Sequence, residues 1–515
     1  MDLQVFFIQV FLPFLFTLLL LVELKKRSTS KKNQSLEPPL PPGPWRLPLV
    51  GHLHHLVGKL AHRAFCDLAA KYGPVMLVKI GQVDVVVISS PEAAEEVLTT
   101  HDRIFAYRPE INTIKVISYD NTNIAFAPYG SYWKQMRKAC NVGVLGVKRV
   151  KSLAATREEE IFSMLREIAM APPTVAINLS KKLETLSCNV MSRAVVGKKF
   201  KSDEESFLPV MKEVMETLSG FSFSDTFPSF KFIDDLTGTS SWMKRIRQKF
   251  DEMLDEIIKQ HQVKKALQLT SAGNMDNAEE DLLDLLLRMK EDGDLEVPLT
   301  FDNIKAVVLD MFLGGTDTSA TTMEWAISEL IRNPEVMKKA QNEVREALKG
   351  RTKVEESDVE GLKYLKLVIK EVLRLHPPGP FTVPRVAKES CTILGFNIPN
   401  GTRVLINAWA MGRDPRYWDD AESFKPERFD QSMIEFKGRD HFEYIPFGGG
   451  RRVCPGMDFA LAKVGLVLAN LLFYFDWGLP NGMKPENLDM TERVGGVASR
   501  ENELYLLATP CIRLP

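Results

Sequence analysis

A single cysteine stands in a glycine- and arginine-rich segment near the end of the chain. The segment reads Phe447-Gly-Gly-Gly-Arg-Arg-Val-Cys454-Pro-Gly456, and helical periodicity begins directly after it. Glycines let a backbone approach a flat group closely, and the start of a helix favours the thiolate form of Cys454. This combination predicts an axial metal ligand. The alternative is a small buried cysteine in a glycine-rich turn.

A second group of polar residues lies in the middle of a predicted long helix. It reads Gly314-Gly315-Thr316-Asp317-Thr318-Ser319. Each interior glycine destabilises a helix by about 1 kcal/mol relative to alanine, so these positions indicate a need for space. The Thr318 hydroxyl can donate to the Gly314 carbonyl and loosen the helix, which leaves a notch for dioxygen or water. The alternative is a close helix crossing with incidental polar residues.

The pattern Phe-x-x-Gly-x-Arg-x-Cys-x-Gly at residues 447–456 resembles the haem-binding signature of the cytochrome P-450 family. The resemblance implies that Cys454 is the thiolate ligand of haem b (iron protoporphyrin IX) and that Phe447 and Gly456 belong to the cofactor site. Residues 314–318 are similar to the family's Ala/Gly-Gly-x-Asp/Glu-Thr motif. Asp317 and Thr318 are thereby implied to deliver protons during oxygen activation.

A predicted charge network accompanies the cysteine segment. Glu371 and Arg374 match the family's Glu-x-x-Arg, and Arg428 lies in the matching Pro-Glu-Arg-Phe segment. Taken alone, a Glu and an Arg three residues apart are more typical of a weak surface contact. With Arg428 as third partner, the resemblance implies a buried structural network that holds the haem-side loop.

Further cofactor contacts follow from the same resemblance. Trp133 and Arg137 match Trp-x-x-x-Arg, and Arg385 and Arg452 stand at the other positions that the family uses for haem propionates. Three cations for two carboxylates is a plausible balance of charge.

The resemblance assigns substrate contacts to residues 108–123, 311–314, 381–383 and 494–497. These segments are mainly apolar, which favours a compact hydrophobic substrate. We expect a terpenoid first and an alkaloid or phenolic second. The predicted pocket residues are Ile114, Met311, Phe312, Leu313, Gly314, Phe381, Val383 and Val497.

The composition is that of a globular protein with a large core. The chain has 515 residues, of which 45% are hydrophobic and 26% charged. Its 66 basic and 67 acidic residues nearly cancel, so no general positive field recruits nucleic acid. The six cysteines form no CxxC pair, which argues against a disulfide scaffold and the usual zinc spacings.

The first residues have the pattern of a membrane anchor. Residues 3–22 carry no charge, and a helix of that length is ~30 Å long, about the thickness of a bilayer core. Basic residues follow this run, which favours a cytosolic body, and prolines between residues 38 and 44 indicate a stiff connector. The sequence predicts an anchor helix at 1–24, a basic and proline-rich connector at 25–44 and one catalytic domain at 45–515.

The elements that position these residues are mostly helical. Residues 75–80 and 83–89 predict two strands, and residues 393–398 and 402–407 predict a second small sheet. The longest helix is predicted to begin after Thr300 and to run to Asn333, before Pro334.

By resemblance, the fold is mainly α with a small β-rich lobe, the triangular helical prism of the P-450 family. The implied reaction is monooxygenation with O2 and NADPH, the electrons coming from an NADPH-cytochrome reductase at the endoplasmic reticulum membrane. A basic face around residues 134–151 would suit an acidic donor. Two alternatives stay open: a haem-thiolate isomerase or dehydratase that needs no external electrons, and a non-catalytic haem-binding membrane protein.

Overall fold

The computed structural model describes residues 38–199, 207–218, 222–270, 280–438 and 440–514. The predicted anchor at 1–24 and most of the connector at 25–44 lie outside the described residues. The described chain is mainly α-helical, as predicted. Its α-helices are α1 Ala61–Tyr72, α2 Pro91–Glu95, α3 Asn112–Ile117, α4 Ser131–Cys140, α5 Val147–Ser152, α6 Ala154–Ala169, α7 Leu179–Val196, α8 Phe207–Leu218, α9 Phe223–Thr226, α10 Phe232–Leu236, α11 Thr239–Thr270, α12 Leu282–Asp292, α13 Phe301–Arg332, α14 Pro334–Ala347, α15 Glu356–Val359, α16 Lys363–Leu375, α17 Ala408–Met411 and α18 Met457–Tyr474.

The strands form a minor part of the fold. They are β1 Val75–Ile80, β2 Val83–Ile88, β3 Ile177–Asn178, β4 Arg385–Val386, β5 Cys391–Ile393, β6 Phe396–Ile398, β7 Arg403–Ile406, β8 Phe475–Gly478, β9 Glu492–Val494, β10 Ala498–Arg500 and β11 Tyr505–Pro510. The largest sheet has the order β1-β2-β7-β4, in which β2 and β7 are parallel and the other pairs antiparallel. The small β-rich lobe is therefore present.

One sheet prediction is wrong in its pairing. Residues 391–398 form a separate hairpin of β5 and β6, with Ile393 opposite Phe396. Residues 403–406 instead extend the first sheet, because β7 pairs with β2 in the register Val86 to Val404. A strand pattern shows which residues are extended but does not name their partner across a long connection.

The long helix α13 crosses the core as predicted. The Thr300 side chain accepts a hydrogen bond from the Asn303 amide, and the Asn303 side chain returns one to the Thr300 backbone. The helix ends before Pro334, because proline disfavours helical geometry in the residue that precedes it. Its main packing partner is α7, and α18 also packs against it. The notch residues 314–319 thus lie in the middle of the core.

Within the described residues, one helix is both long and apolar enough to cross a bilayer. It is α18, and 78% of its apolar window is buried among other parts of the protein. An apolar helix that is covered on most sides belongs to the core. Its start, directly after Pro455 and Gly456, fixes the position of Cys454 against the rest of the helical body.

Candidate active site

Cys454 lines a cavity of about 430 Å³ in the middle of the helical body. Its backbone N–H donates to the Phe447 carbonyl at 2.9 Å, which closes the loop that precedes α18. Gly450 within this loop has φ +65°, and a Cβ there would lie 2.6 Å from the Leu98 carbonyl oxygen. Only glycine therefore fits where the loop folds against the Leu98 backbone.

The Cys454 thiol has a mixed electrostatic environment. Burial raises the pKa of the Cys454 thiol, whereas a hydrogen bond from the Gly456 N–H and the charge of Arg137 lower it. A buried thiolate therefore needs a further positive partner to persist. An iron ion bound to the sulfur would supply that charge.

Two buried arginines of the cavity wall donate to backbone carbonyls. Arg452 donates to the carbonyls of Ala106 at 2.8 Å and Ala127 at 2.6 Å. Arg385 donates to the Gly449 carbonyl at 2.9 Å, and its Nε has no hydrogen-bond partner in the described residues. These contacts orient the guanidiniums and leave their charge largely uncompensated.

Arg108 and Arg137 complete a cluster of four cations around the cavity. Arg137 donates to the Val453 carbonyl at 2.7 Å. Arg108 donates through Nη1 to the Val383 carbonyl at 2.7 Å, and Arg385 and Arg452 repel its charge. Sequence reasoning placed Arg108 at the edge of the substrate segment and missed it as a member of this cluster.

In the described part of the chain, the four arginines of this cluster have too few carboxylates near them to balance their positive charge. Burial lowers the pKa of both Arg385 and Arg452 to about 10, with Arg385 adding to the shift of Arg452. The nearest carboxylate to Arg385 is Asp102, at 3.7 Å from Nη1. Buried cations of this kind call for a bound dianion. The two propionates of haem b, with its iron on Cys454, fit this set of donors.

The predicted notch is present in α13. The Thr318 hydroxyl donates to the Gly314 carbonyl at 2.6 Å, as the sequence predicted. A Cβ added at Gly314 would meet no atom within 4 Å, whereas one at Gly315 would lie 2.5 Å from the Met191 sulfur. Gly314 and Thr318 both line the cavity. The space at Gly314 therefore opens directly into the cavity that Cys454 also lines.

Asp317 lies off the cavity lining, beside Thr318 in sequence but on another side of the helix. Burial, with the nearby Glu184, raises the pKa of Asp317 to about 6, while the charges of Lys212 and Arg493 act in the opposite direction. Glu184 and Lys212 form an ion pair at 2.8 Å. The structure thus joins Asp317 to a charged group behind the helix and not to the cavity itself.

Trp133 is the second predicted residue that does not reach the cavity lining. Its indole N–H donates to the Ile124 carbonyl at 3.0 Å. The N–H that was expected to contact the cofactor is therefore already hydrogen-bonded within the protein. The Arg452 guanidinium lies 4.4 Å from the Trp133 ring centre, and that of Arg137 lies 5.3 Å away. Trp133 therefore supports the two arginines through cation–π contacts.

Seven of the eight predicted pocket residues line the cavity. Phe312 is the exception, since its side chain is fully buried in the packing of α13. Successive helix positions rotate by about 100°, so Phe312 points away from the row that contains Met311 and Gly315. The seven residues that line the cavity are Ile114, Met311, Leu313, Gly314, Phe381, Val383 and Val497.

The charge network of Glu371, Arg374 and Arg428 is present and buried. Arg374 makes two hydrogen bonds of 2.8 Å to the Glu371 carboxylate, and Arg428 Nε adds one of 2.9 Å. Arg374 also donates to the carbonyls of Gly412 and Ala421, each at 2.6 Å. The network thus joins α16 to the segment that precedes the cysteine loop.

Comparison with known proteins agrees with this geometry. A sequence profile of the cytochrome P450 family matches residues 41–508. Premnaspirodiene oxygenase of Hyoscyamus muticus is 47% identical over 93% of this chain and 94% of its own, and melianol synthase of Azadirachta indica is 47% identical over 97% of both chains. Germacrene A hydroxylase of Barnadesia spinosa is 45% identical over 95% of both.

Solved structures show the same architecture. A zebrafish cytochrome P450 solved with abiraterone has a TM-score of 0.72 and 26% identity, and covers 88% of this chain and all of its own. The structure of a zebrafish cytochrome P450 with progesterone gives the same TM-score with 27% identity and the same coverage of both chains. The chain therefore belongs to the cytochrome P450 family, and it is a haem-thiolate monooxygenase.

Proposed function

We propose that this protein is a membrane-anchored monooxygenase that oxidises a compact terpenoid with O2 and with electrons from NADPH through a reductase. The reaction is RH + O2 + NADPH + H⁺ giving ROH + H2O + NADP⁺. The observation that carries the proposal is the cavity itself, which Cys454 and a mainly apolar set of side chains line together. Oxygen activation and an apolar substrate are thereby brought to one place.

The charged groups of the lining have partners once the cofactor is bound, because the cavity arginines would hold its two carboxylates. Asp310 accepts hydrogen bonds from the Asn123 side chain and the Ala125 amide, and Arg108 donates to backbone carbonyls. A charged substrate would find no free partner there, so its desolvation would be unfavourable. An apolar skeleton gives up no hydrogen bonds to water when it enters this cavity, so its desolvation is favourable. The relatives from Hyoscyamus, Azadirachta and Barnadesia are named for premnaspirodiene, melianol and germacrene A, which are terpenoids.

The side chains around the notch support specific roles in this chemistry. When bound, haem activates dioxygen and oxidises the C–H bond. Cys454 holds the iron, and Arg137, Arg385 and Arg452 hold the carboxylates. Thr318 presents its hydroxyl to the cavity. Asp317, which does not line the cavity, would hold a proton at its carboxyl behind the helix, and the Thr318 hydroxyl would donate a proton on the cavity side.

An exposed basic face supports the proposed electron donor. Lys134 and Lys138 on α4 and Lys148 and Lys151 on α5 are exposed. They lie on the side of Cys454, because Arg137 of α4 donates to the Val453 carbonyl. Such a face attracts an acidic flavoprotein reductase and orients it for electron transfer.

An exposed apolar patch supports the proposed membrane contact. Trp45 is 64% exposed, Phe232 56% and Leu236 78%. The turn between β1 and β2 connects the segment of Trp45 with the segment of Phe232 and Leu236. On one side Ile80 pairs with Gly51, and on the other the Gln82 amide donates to the Thr226 carbonyl. Large apolar side chains in one exposed region are typical of a lipid-facing surface. This surface, with the predicted anchor, favours the endoplasmic reticulum membrane with a cytosolic domain.

The test is turnover by the full chain, reconstituted in vesicles with a plant NADPH-cytochrome reductase. A library of terpenes, alkaloids and phenolics is incubated with NADPH, and products are read by mass spectrometry. We expect a terpenoid product that gains one oxygen atom only when NADPH, O2 and reductase are all present. Turnover of a hydroperoxide without NADPH would instead identify an isomerase or dehydratase. Products from alkaloids or phenolics alone would reject the terpenoid assignment.

A further inference from the structure

Lys463 is a completely buried lysine on α18, the helix that follows the Cys454 loop. Its Nζ donates to the Gly315 carbonyl of α13 at 2.6 Å. In the described part of the chain, the titratable groups that act on it are Arg157 of α6 and Cys188 of α7, and neither is a carboxylate. Burial lowers the pKa of Lys463 to about 7, and the Arg157 charge acts in the same direction. Among the described residues, the contacts of this ammonium are the Gly315 carbonyl and the Phe459 ring, whose centre lies 5.8 Å from Nζ, and neither carries a full negative charge.

The Gly315 carbonyl lies next to the carbonyl that Thr318 uses. Gly314 accepts from the Thr318 hydroxyl at 2.6 Å, and Gly315 accepts from Lys463 at the same distance. In a regular helix these carbonyls pair with the backbone N–H groups four residues later. A second donor competes with that N–H and weakens the regular bond. Two successive carbonyls of this turn of α13 thus accept from added donors.

The same turn is confined by α7. A Cβ at Gly315 would lie 2.5 Å from the Met191 sulfur, so this position has no room to shift toward α7. Lys463 reaches Gly315 from α18, a different helix. The turn is thus held between a steric contact on α7 and a hydrogen bond from α18, and both act at Gly315.

We infer that Lys463 is a positioning residue for monooxygenation, which holds the 314–318 turn open by its hydrogen bond to the Gly315 carbonyl and so presents Thr318 to the cavity. The inference rests on the proposed role of Thr318. The productive reaction is RH + O2 + NADPH + H⁺ giving ROH + H2O + NADP⁺. When the turn closes, electrons from NADPH instead reduce O2 to hydrogen peroxide, in the reaction O2 + NADPH + H⁺ giving H2O2 + NADP⁺. The ratio of product to peroxide reports this partition.

The charge of Lys463 adds a pH dependence to the contact. Below pH ~7 the ammonium donates a strong, charge-assisted bond, and above it the neutral amine donates a weaker one. Arg157 pairs with Glu356 at 2.6 Å, and burial raises the pKa of the Cys188 thiol to about 12, so this thiol stays uncharged through neutrality. Coupling of NADPH to product should therefore decline as pH rises through neutrality.

The experiment compares Lys463→Met with wild type in the full-length, haem-loaded protein. Methionine has a similar length without a donor, and removal of an unpaired buried charge favours folding. Lys463→Arg keeps a donor and serves as the rescue variant. Lys370→Met is the control for the loss of a buried lysine, because Lys370 donates to the Ile434 carbonyl and pairs with Glu435 at 3.0 Å, on elements other than α13.

Two readouts decide the outcome. We expect amide hydrogen exchange in residues 314–319 to slow by about threefold in Lys463→Met, because the Gly315 carbonyl then pairs with the Ser319 N–H alone. We also expect a lower product-to-peroxide ratio in Lys463→Met, and this ratio should no longer decline as pH rises. Lys463→Arg should restore the wild-type exchange and ratio. Lys370→Met should change neither. Unchanged exchange, or unchanged coupling, overturns the inference. The exchange readout needs no substrate, so it separates this failure from a failure of the proposed function.

Discussion

The Asp310 carboxylate of α13 accepts a 2.7 Å hydrogen bond from the Asn123 amide and so ties the long helix to the loop over the cavity. It also accepts from the Ala125 backbone N–H at 2.9 Å. On the other side of the same loop, Arg108 donates to the Ala125 carbonyl and Arg452 to the Ile124 carbonyl. The loop is therefore fastened from both sides, and its position sets the upper wall of the cavity.

Replacement of Asp310 by alanine should loosen this loop. Two donors lose their acceptor, which costs about 1–3 kcal/mol and favours open conformations of the loop. We expect KM for substrate to rise by about tenfold, with a smaller change in kcat, and faster proteolysis within residues 119–126. Asp302→Ala is the control, since that carboxylate is 59% exposed on the same helix. Equal KM values for both variants would contradict the role of Asp310.

Thr318→Ala should uncouple the reaction. The variant removes the hydroxyl that donates to Gly314 but leaves the apolar walls of the cavity intact. Substrate binding, followed by optical titration, should stay within about twofold of wild type, while hydrogen peroxide rises at the expense of product. Ser328→Ala removes a similar back-bonding hydroxyl far along the same helix and should couple normally. Normal coupling in Thr318→Ala would refute proton delivery by this residue.

Glu371→Gln should destabilise the protein severely. The Glu371 carboxylate is fully buried between Arg374 and Arg428, so its loss leaves two guanidiniums without a counter-charge. We expect a loss of about 3–5 kcal/mol in the free energy of unfolding and poor haem incorporation. Glu427→Gln is the matched control, because Glu427 is 50% exposed and pairs with Lys339 at the surface. It should lose about 1 kcal/mol or less. Similar unfolding curves for both variants would exclude a structural network.

Cys454→Ser should abolish the thiolate spectrum of the reduced, CO-treated protein. The wild type is expected to show its Soret band near ~450 nm, since a thiolate is the axial ligand. The Cys188→Ser variant is the control, because Cys188 is buried away from the cavity lining. A band that persists in Cys454→Ser would assign the ligand to another residue.

The pH dependence of stability should report on Asp317. Burial raises the pKa of this carboxyl to about 6, so the folded protein binds its proton more tightly than the unfolded chain does. Its contribution to stability is full below pH ~4 and is lost as pH rises through ~6. Asp317→Asn should therefore match wild type below pH ~4 and exceed it by about 3 kcal/mol at pH 7. Thermal unfolding across this range checks the difference, with Asp302→Asn as an exposed control. A constant difference at all pH values would contradict the shifted pKa.

Local signals predicted the fold elements and the residues nearest the chemistry. Thr300 begins α13 because its side chain caps the helix, and the Thr318 to Gly314 bond needs only residues four apart. The pairing of residues 403–406 was predicted wrongly, since it depends on strands more than 300 positions earlier. Asp310 and Lys463 were missed for the same reason, because their partners come from distant segments.

Side-chain direction was the other limit of the sequence pattern. Phe312 and Trp133 lie in correctly predicted elements, yet neither reaches the cavity lining. A motif gives the element and the approximate position, whereas the rotation of a helix in the finished core decides which neighbour each side chain meets. For Trp133, the nearby Ile124 carbonyl takes the indole N–H that a motif assigns to the cofactor.

The four cavity arginines also bear on how the protein is made. A newly synthesised chain that closes around Arg108, Arg137, Arg385 and Arg452 buries mutually repelling charges until their dianionic partner arrives. The prosthetic group is therefore a folding partner, and the yield of mature enzyme in any host follows the supply of porphyrin during synthesis.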